Sequence, residues 1–127
     1  MKHAALSSQL IGICIKVHTK LGPGLLESIY EEVVCYELTQ RGIPFRRQQG
    51  MKVVYEEVYM GIGYRADIIV EDKIIMELKS SEAIHPVHYK TLLTYLRLSE
   101  NEVGLLINFN VAVLKDGIYR LVQDLRK

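Results

Sequence analysis

The chain has 127 residues, 49% hydrophobic and 24% charged, which is one domain's worth of ordinary globular sequence. The apolar content and the lack of any long run of like charge exclude a disordered chain. Sixteen Lys and Arg against 15 Asp and Glu leave a net charge of +1, so there is no whole-molecule basic field, and any anion binding has to be local.

In chain order, Leu6, Leu10, Ile13, Cys14, Val17 and Leu21 recur at spacings of three and four, which predicts a helix over Ala4–Lys20. The stretch Ala4–Ile15 is interrupted by Ser7, Ser8 and Gln9 and has no small-residue cleavage site after it. It is also far short of the ~20 apolar residues of a membrane span. The expectation is a cytoplasmic protein without a membrane partner. Cys14 and Cys35 lack CxxC spacing and sit in apolar helical patterns, as reduced core residues do. Gly22-Pro23-Gly24 ends the first helix. A second is expected over Leu25–Arg41, with Leu26, Ile29, Tyr30, Val33 and Val34 facing inward.

After Pro44 the pattern turns to strands: Phe45–Tyr55, Tyr64–Val70 and Lys73–Lys79, with Gly61-x-Gly63 read as a turn. Pro86 opens a third helix through about Leu98. Val103–Phe109 is continuous and apolar, like a strand buried on both faces. Asp116-Gly117 is expected to form a hairpin turn into a last strand, Ile118–Val122. The order α-α-β-β-β-α-β-β is that of one α/β domain spanning 1–127, a mixed β-sheet flanked by helices.

Glu77-Leu78-Lys79 ends a strand, so Glu77 and Lys79 share a face with Ile75 while Ile74, Met76 and Leu78 take the other. Asp67 lies on the preceding strand. A three-residue turn, Glu71-Asp72-Lys73, pairs Val70 with Ile74 and sets Asp67 opposite Glu77. A two-residue turn opposes Asp67 to Met76 instead. In the first register two carboxylates stand together beside an ammonium, an arrangement of hard oxygen donors suited to Mg²⁺ or Mn²⁺. A cross-strand ion-pair set is the plainer alternative. Glu27 lies on the flank of the second helix's apolar stripe, either as a helix-dipole partner or as a further site acid.

Gly24-Leu25-Leu26-Glu27-Ser28-Ile29-Tyr30 spells GxxExxY. With Leu21-Gly22-Pro23 before it and Tyr64-Arg65-Ala66-Asp67, Glu77-Leu78-Lys79 and Gly104–Phe109 after it, the chain resembles the GxxExxY family, a branch of the PD-(D/E)XK nuclease superfamily. The resemblance runs from about His18 to Val122. It implies a restriction-endonuclease-like core and metal-dependent phosphodiester hydrolysis of nucleic acid, with DNA the expected substrate. It further implies Asp67 and Glu77 as metal carboxylates, Lys79 as the active-site lysine, Glu27 as an additional acid holding the metal or a bound water, and Tyr30 as a supporting or packing residue near it. Tyr30 is counted with Arg46, Arg47, His88 and Thr91 on the substrate-binding side. Relatives commonly carry Gln where this chain has Thr91, whose hydroxyl also donates but reaches less far.

Among other candidates, Arg46 and Arg47, with Arg41, form the one basic cluster. It is either a phosphate grip or the solvated face of a strand. His88 is placed to line the cleft, and His85 with His88 is a weak zinc pair. A homodimer would let so small a chain address two strands. The rival to a nuclease is a catalytically silent module of the same scaffold that binds nucleic acid or a protein.

Overall fold

The computed structural model describes residues 2–124. Helix α1 (Ala4–Leu21) buries Leu10, Ile13, Cys14 and Val17 along one stripe. It ends where the Gly22 N–H donates to the His18 carbonyl at 2.7 Å. Helix α2 (Glu27–Gln40) buries Tyr30, Glu31, Val34, Cys35 and Leu38.

The inward stripe of α2 is therefore rotated from the expected one. Leu26 is the extended residue ahead of the helix and is 73% exposed, and Ile29 is exposed as well. With the start at Glu27 the buried face runs Tyr30, Val34, Leu38, one turn apart at each step.

Strands β1 (Phe45–Tyr55), β2 (Val58–Val70), β3 (Ile74–Lys79), β4 (Val103–Asn108) and β5 (Ile118–Val122) form one sheet in that order, with helix α3 (Pro86–Ser99) between β3 and β4. Only β3 and β4 run parallel, so the sheet is mixed. β1 and β2 make a long hairpin whose tip is Glu56-Glu57, both at positive φ, the turn that matches strand twist. Gly61-x-Gly63 is thus part of β2 and not a turn. The register shifts twice beside it, as bulges do, and a Cβ on Gly63 would lie 2.2 Å from Val53 Cγ2. Glycines here serve a bulged strand, and local sequence does not separate that from a turn. Asp116-Gly117 likewise closes a 3-10 helix, Leu114–Gly117, within the longer connection from β4 to β5.

Both sheet faces are covered. Ile68, Val70, Ile74, Met76, Leu78, Leu105 and Ile107 pack with α1 and α2 residues. Ala66, Ile69, Ile75 and Leu106 pack with Leu92 and Leu96 of α3 on the other side. Burying about 25 cal/mol for each Å² of apolar surface on two faces fixes the sheet as the central layer. None of the helices among the described residues is long and apolar enough to cross a membrane.

Candidate active site

The β2–β3 ladder pairs Val70 with Ile74, Ile69 with Ile75 and Ile68 with Met76, which is the register of the three-residue turn. At the next step side chains replace the backbone. The Asp67 N–H donates to Glu77 Oε1 at 3.1 Å, and the Leu78 N–H donates to Asp67 Oδ2 at 2.9 Å. The strands part at this point, and each carboxylate caps a backbone donor of the other strand.

Period-two alternation also slips here. Ala66 joins the α3-side cluster while Ile68, two residues on, joins the opposite one. On β1 the residue facing the slip is Gln48, at φ 46, with regular pairs Arg47–Ile68 and Gln49–Ala66 on either side.

Glu77 is only 9% exposed. Burial, and then the charge of Asp67, push its carboxyl up to about 8; the Asp67 N–H and the Lys79 ammonium pull the other way without offsetting them. Glu77 and Lys79 open into a cleft of about 150 Å³ against α3, lined there by His88, Thr91, Leu92 and Tyr95. His88 Nδ1 accepts from the His85 N–H at 3.1 Å, so in the neutral ring the proton sits on Nε2. Tyr95 stacks on Tyr64 with ring centroids 4.3 Å apart. Its phenol is held above the ordinary range by burial and by the Glu77 and Asp67 charges, and so stays neutral beside them.

Glu27 begins α2 at the far edge of the same strand end. Its Oε2 lies 3.4 Å from the Ser80 N–H, the Ser80 hydroxyl donates to the Leu25 carbonyl at 2.6 Å, and together they tie the helix start to the end of β3. Tyr30 braces this turn from beneath. Its hydroxyl donates to the Gly22 carbonyl at 2.6 Å and accepts from the Leu25 N–H at 3.2 Å, while its ring stacks on Phe109 at 4.3 Å. Gly24 supplies the positive φ, 97°, that the turn needs. The spacing of Gly24, Glu27 and Tyr30 is therefore a folding unit that presents Glu27.

Three expectations change. Tyr30 is fully buried with its hydroxyl committed, so it cannot contact substrate. Arg46 pairs with Asp72 through one guanidinium nitrogen at the exposed surface, while Arg47 reaches Glu31 at 2.9 Å and Glu32 at 2.8 Å, so the Arg47 fork is engaged on α2 and of the two only Arg46 keeps donors for phosphate. The partners lie far off in sequence, and only the hairpin and α2 bring them in. Arg41 is engaged with Glu37. Finally, Glu27 lines an adjoining cleft of about 510 Å³ with Ser80 and Asn110, and no group of three His, Cys, Asp or Glu able to hold an ion occurs among the described residues. Asp67 and Glu77 interlock directly, while Glu27 makes its contact with Ser80 at the end of β3.

Sequence reasoning passed over Glu31 and gave Gln48 no place at the acid pair. Glu31 is 8% exposed, and its Oε1 accepts from Gln48 Nε2 at 2.8 Å, the nitrogen that also donates to Asp67 Oδ1 at 3.2 Å. The signal available was a carboxylate one turn after Glu27, on the buried side of its helix. Asn108, paired with Lys79 across β3 and β4, holds the exit of β3 by bonds to both Ser81 backbone groups.

The donor set fits a hard divalent cation. Burial first, and then the Asp67 charge, raise the Glu77 carboxyl, a tension such an ion relieves, and Mg²⁺ needs only one or two protein carboxylates beside water and phosphate oxygens. None of the direct ion pairs of the described residues includes Asp67, Glu77 or Lys79, and Lys79 acts on Glu77 through its charge.

No curated protein and no solved structure matches the chain. Its sequence does match the profile of the PD-(D/E)XK nuclease superfamily over residues 4–121, which takes in all three helices and reaches into the last strand. An α/β layer with the acid pair and lysine where two strands part agrees with that match, and the chain belongs to the PD-(D/E)XK nuclease superfamily.

Proposed function

We propose that the protein is a divalent-metal-dependent endonuclease acting on DNA, within the GxxExxY branch of its superfamily. Nuclease-type phosphodiester hydrolysis, on a nucleic-acid substrate and generally with divalent metals, follows from the family. The observation that carries the finer reading is the interlocked pair Asp67 and Glu77, with Lys79 lining the same cleft as Glu77.

Asp67 and Glu77 would hold Mg²⁺ or Mn²⁺, which when bound supplies Lewis-acid polarisation of a phosphate oxygen and a more acidic water. Lys79, on the Glu77 face, donates to the oxygen on which charge grows. Glu27, exposed at the end of β3, takes the role of orienting a water. Thr91 and His88 border the cleft from α3, where a hydroxyl and an Nε2–H can donate to the phosphate backbone.

The test is cleavage of plasmid and linear DNA, with RNA as comparison, in Mg²⁺ or Mn²⁺. Lys79→Ala and Glu77→Ala should each reduce cleavage by about 10²-fold or more with the circular dichroism spectrum unchanged. Undiminished cleavage by both variants would remove these residues from the mechanism.

A further inference from the structure

We propose that Gln48 is a positioning residue for the acid pair: its amide ties Asp67 to the buried Glu31 through a neutral donor and so fixes the site without cancelling its charge. The inference rests on the reading of Asp67 as a cation ligand. Gln48 Nε2 lies 2.8 Å from Glu31 Oε1 and 3.2 Å from Asp67 Oδ1. An amide nitrogen has two N–H groups, one for each carboxylate, and the opposite flip would set its oxygen against two acceptors. The orientation is thus dictated by the partners.

Glu31 is a firm anchor. Its second oxygen takes two bonds from Arg47, Nε at 3.2 Å and Nη2 at 2.9 Å, and the residue is buried on α2. Asp67 is then held at both oxygens, by Gln48 at Oδ1 and by the Leu78 N–H at Oδ2. Each oxygen keeps a lone pair for a ligand.

The backbone carries the second argument. Gln48 sits at φ 46, a conformation that side chains rarely adopt and glycine adopts freely, yet the register on both sides is unbroken. The position keeps a long amide where backbone preference favours none. A lysine or arginine there would make an ion pair with Asp67 and compete with a cation. Glutamine gives direction without net charge.

Melting with increasing Mn²⁺ and no nucleic acid tests this, on wild type, Gln48→Gly, Gln48→Met and Asp67→Ala, alongside the Mn²⁺ dependence of DNA cleavage. Gly relieves the backbone and Met keeps side-chain length; both lack the donor. Each should need on the order of tenfold more Mn²⁺ for the same rise in midpoint and for half-maximal cleavage, while Gln48→Gly without metal melts close to wild type. A purely structural Gln48 would lower the metal-free midpoint and leave the Mn²⁺ response alone. The inference is overturned if both Gln48 variants respond to Mn²⁺ like wild type while Asp67→Ala does not respond. If wild type itself shows neither a Mn²⁺-dependent midpoint nor cleavage, the cation-site reading fails first and takes this inference with it.

Discussion

At the residue scale the decisive quantity is the burial of Glu77. In the folded, metal-free protein its carboxyl titrates near 8, against an ordinary value of 4.5. The native state therefore binds an extra proton between those values, and stability falls as pH rises through that window. The stabilisation is full below about 4.5 and lost above about 8, with a limiting slope of about 1.4 kcal/mol per pH unit in mid-window. Denaturant unfolding in EDTA from pH 5 to 8 should show the decline, and Glu77→Gln should flatten it and be the more stable protein at pH 8. Asp67→Ala removes the charge and the side-chain hydrogen bond of Asp67 but leaves burial, the largest cause, so it should leave a shallower decline rather than none. The sequence put Glu77 and Lys79 on one face and allowed Asp67 to meet Glu77 only with the three-residue turn, which is the register found. It could not supply Glu31 or Gln48, because a helix carboxylate and a strand amide meet only after two layers pack.

At the element scale two local units decide where the site stands. The first is the turn braced by Tyr30. Tyr30→Phe leaves the ring on Phe109 but strips the Gly22 carbonyl and the Leu25 N–H of their partner. A loss of about 1–3 kcal/mol in urea unfolding is expected, together with weakened cleavage, because Glu27 and Ser80 depend on that turn. The second is the bulged hairpin. Gly63→Ala would drive a methyl into Val53, at a cost of about 1–3 kcal/mol, and Val53→Ala in the same chain should recover much of it. A double-mutant cycle that shows no coupling would mean that strand β2 runs differently past Gly63. Glycines in x-G-x-G-x form read equally as turn or bulge, and the choice falls to pairing with β1, which local sequence does not contain.

At the scale of the whole molecule, charge sets how nucleic acid can be held. The net charge is +1, and Arg41, Arg46 and Arg47 are all engaged with carboxylates. Affinity for nucleic acid then draws on local cations and not on a large net charge. The slope of log K against log salt in fluorescence anisotropy should accordingly be shallow, no steeper than about −3, where a steep slope would reveal a broad basic surface.

The sequence by itself determined the order of helices and strands, the sheet buried on both faces and the shared face of Glu77 and Lys79, because each follows from periodicity along a few neighbouring residues. Which turn joins β2 to β3, and so whether Asp67 meets Glu77 or Met76, was decided by the pairing of the two strands. The tertiary structure alone decided that α2 turns Glu31 inward and Leu26 outward, that both strand arginines meet carboxylates, and that Glu27 meets Ser80 at the end of β3. Those outcomes depend on distances between segments remote in the chain, set when helix and sheet faces pack, and no local pattern encodes them.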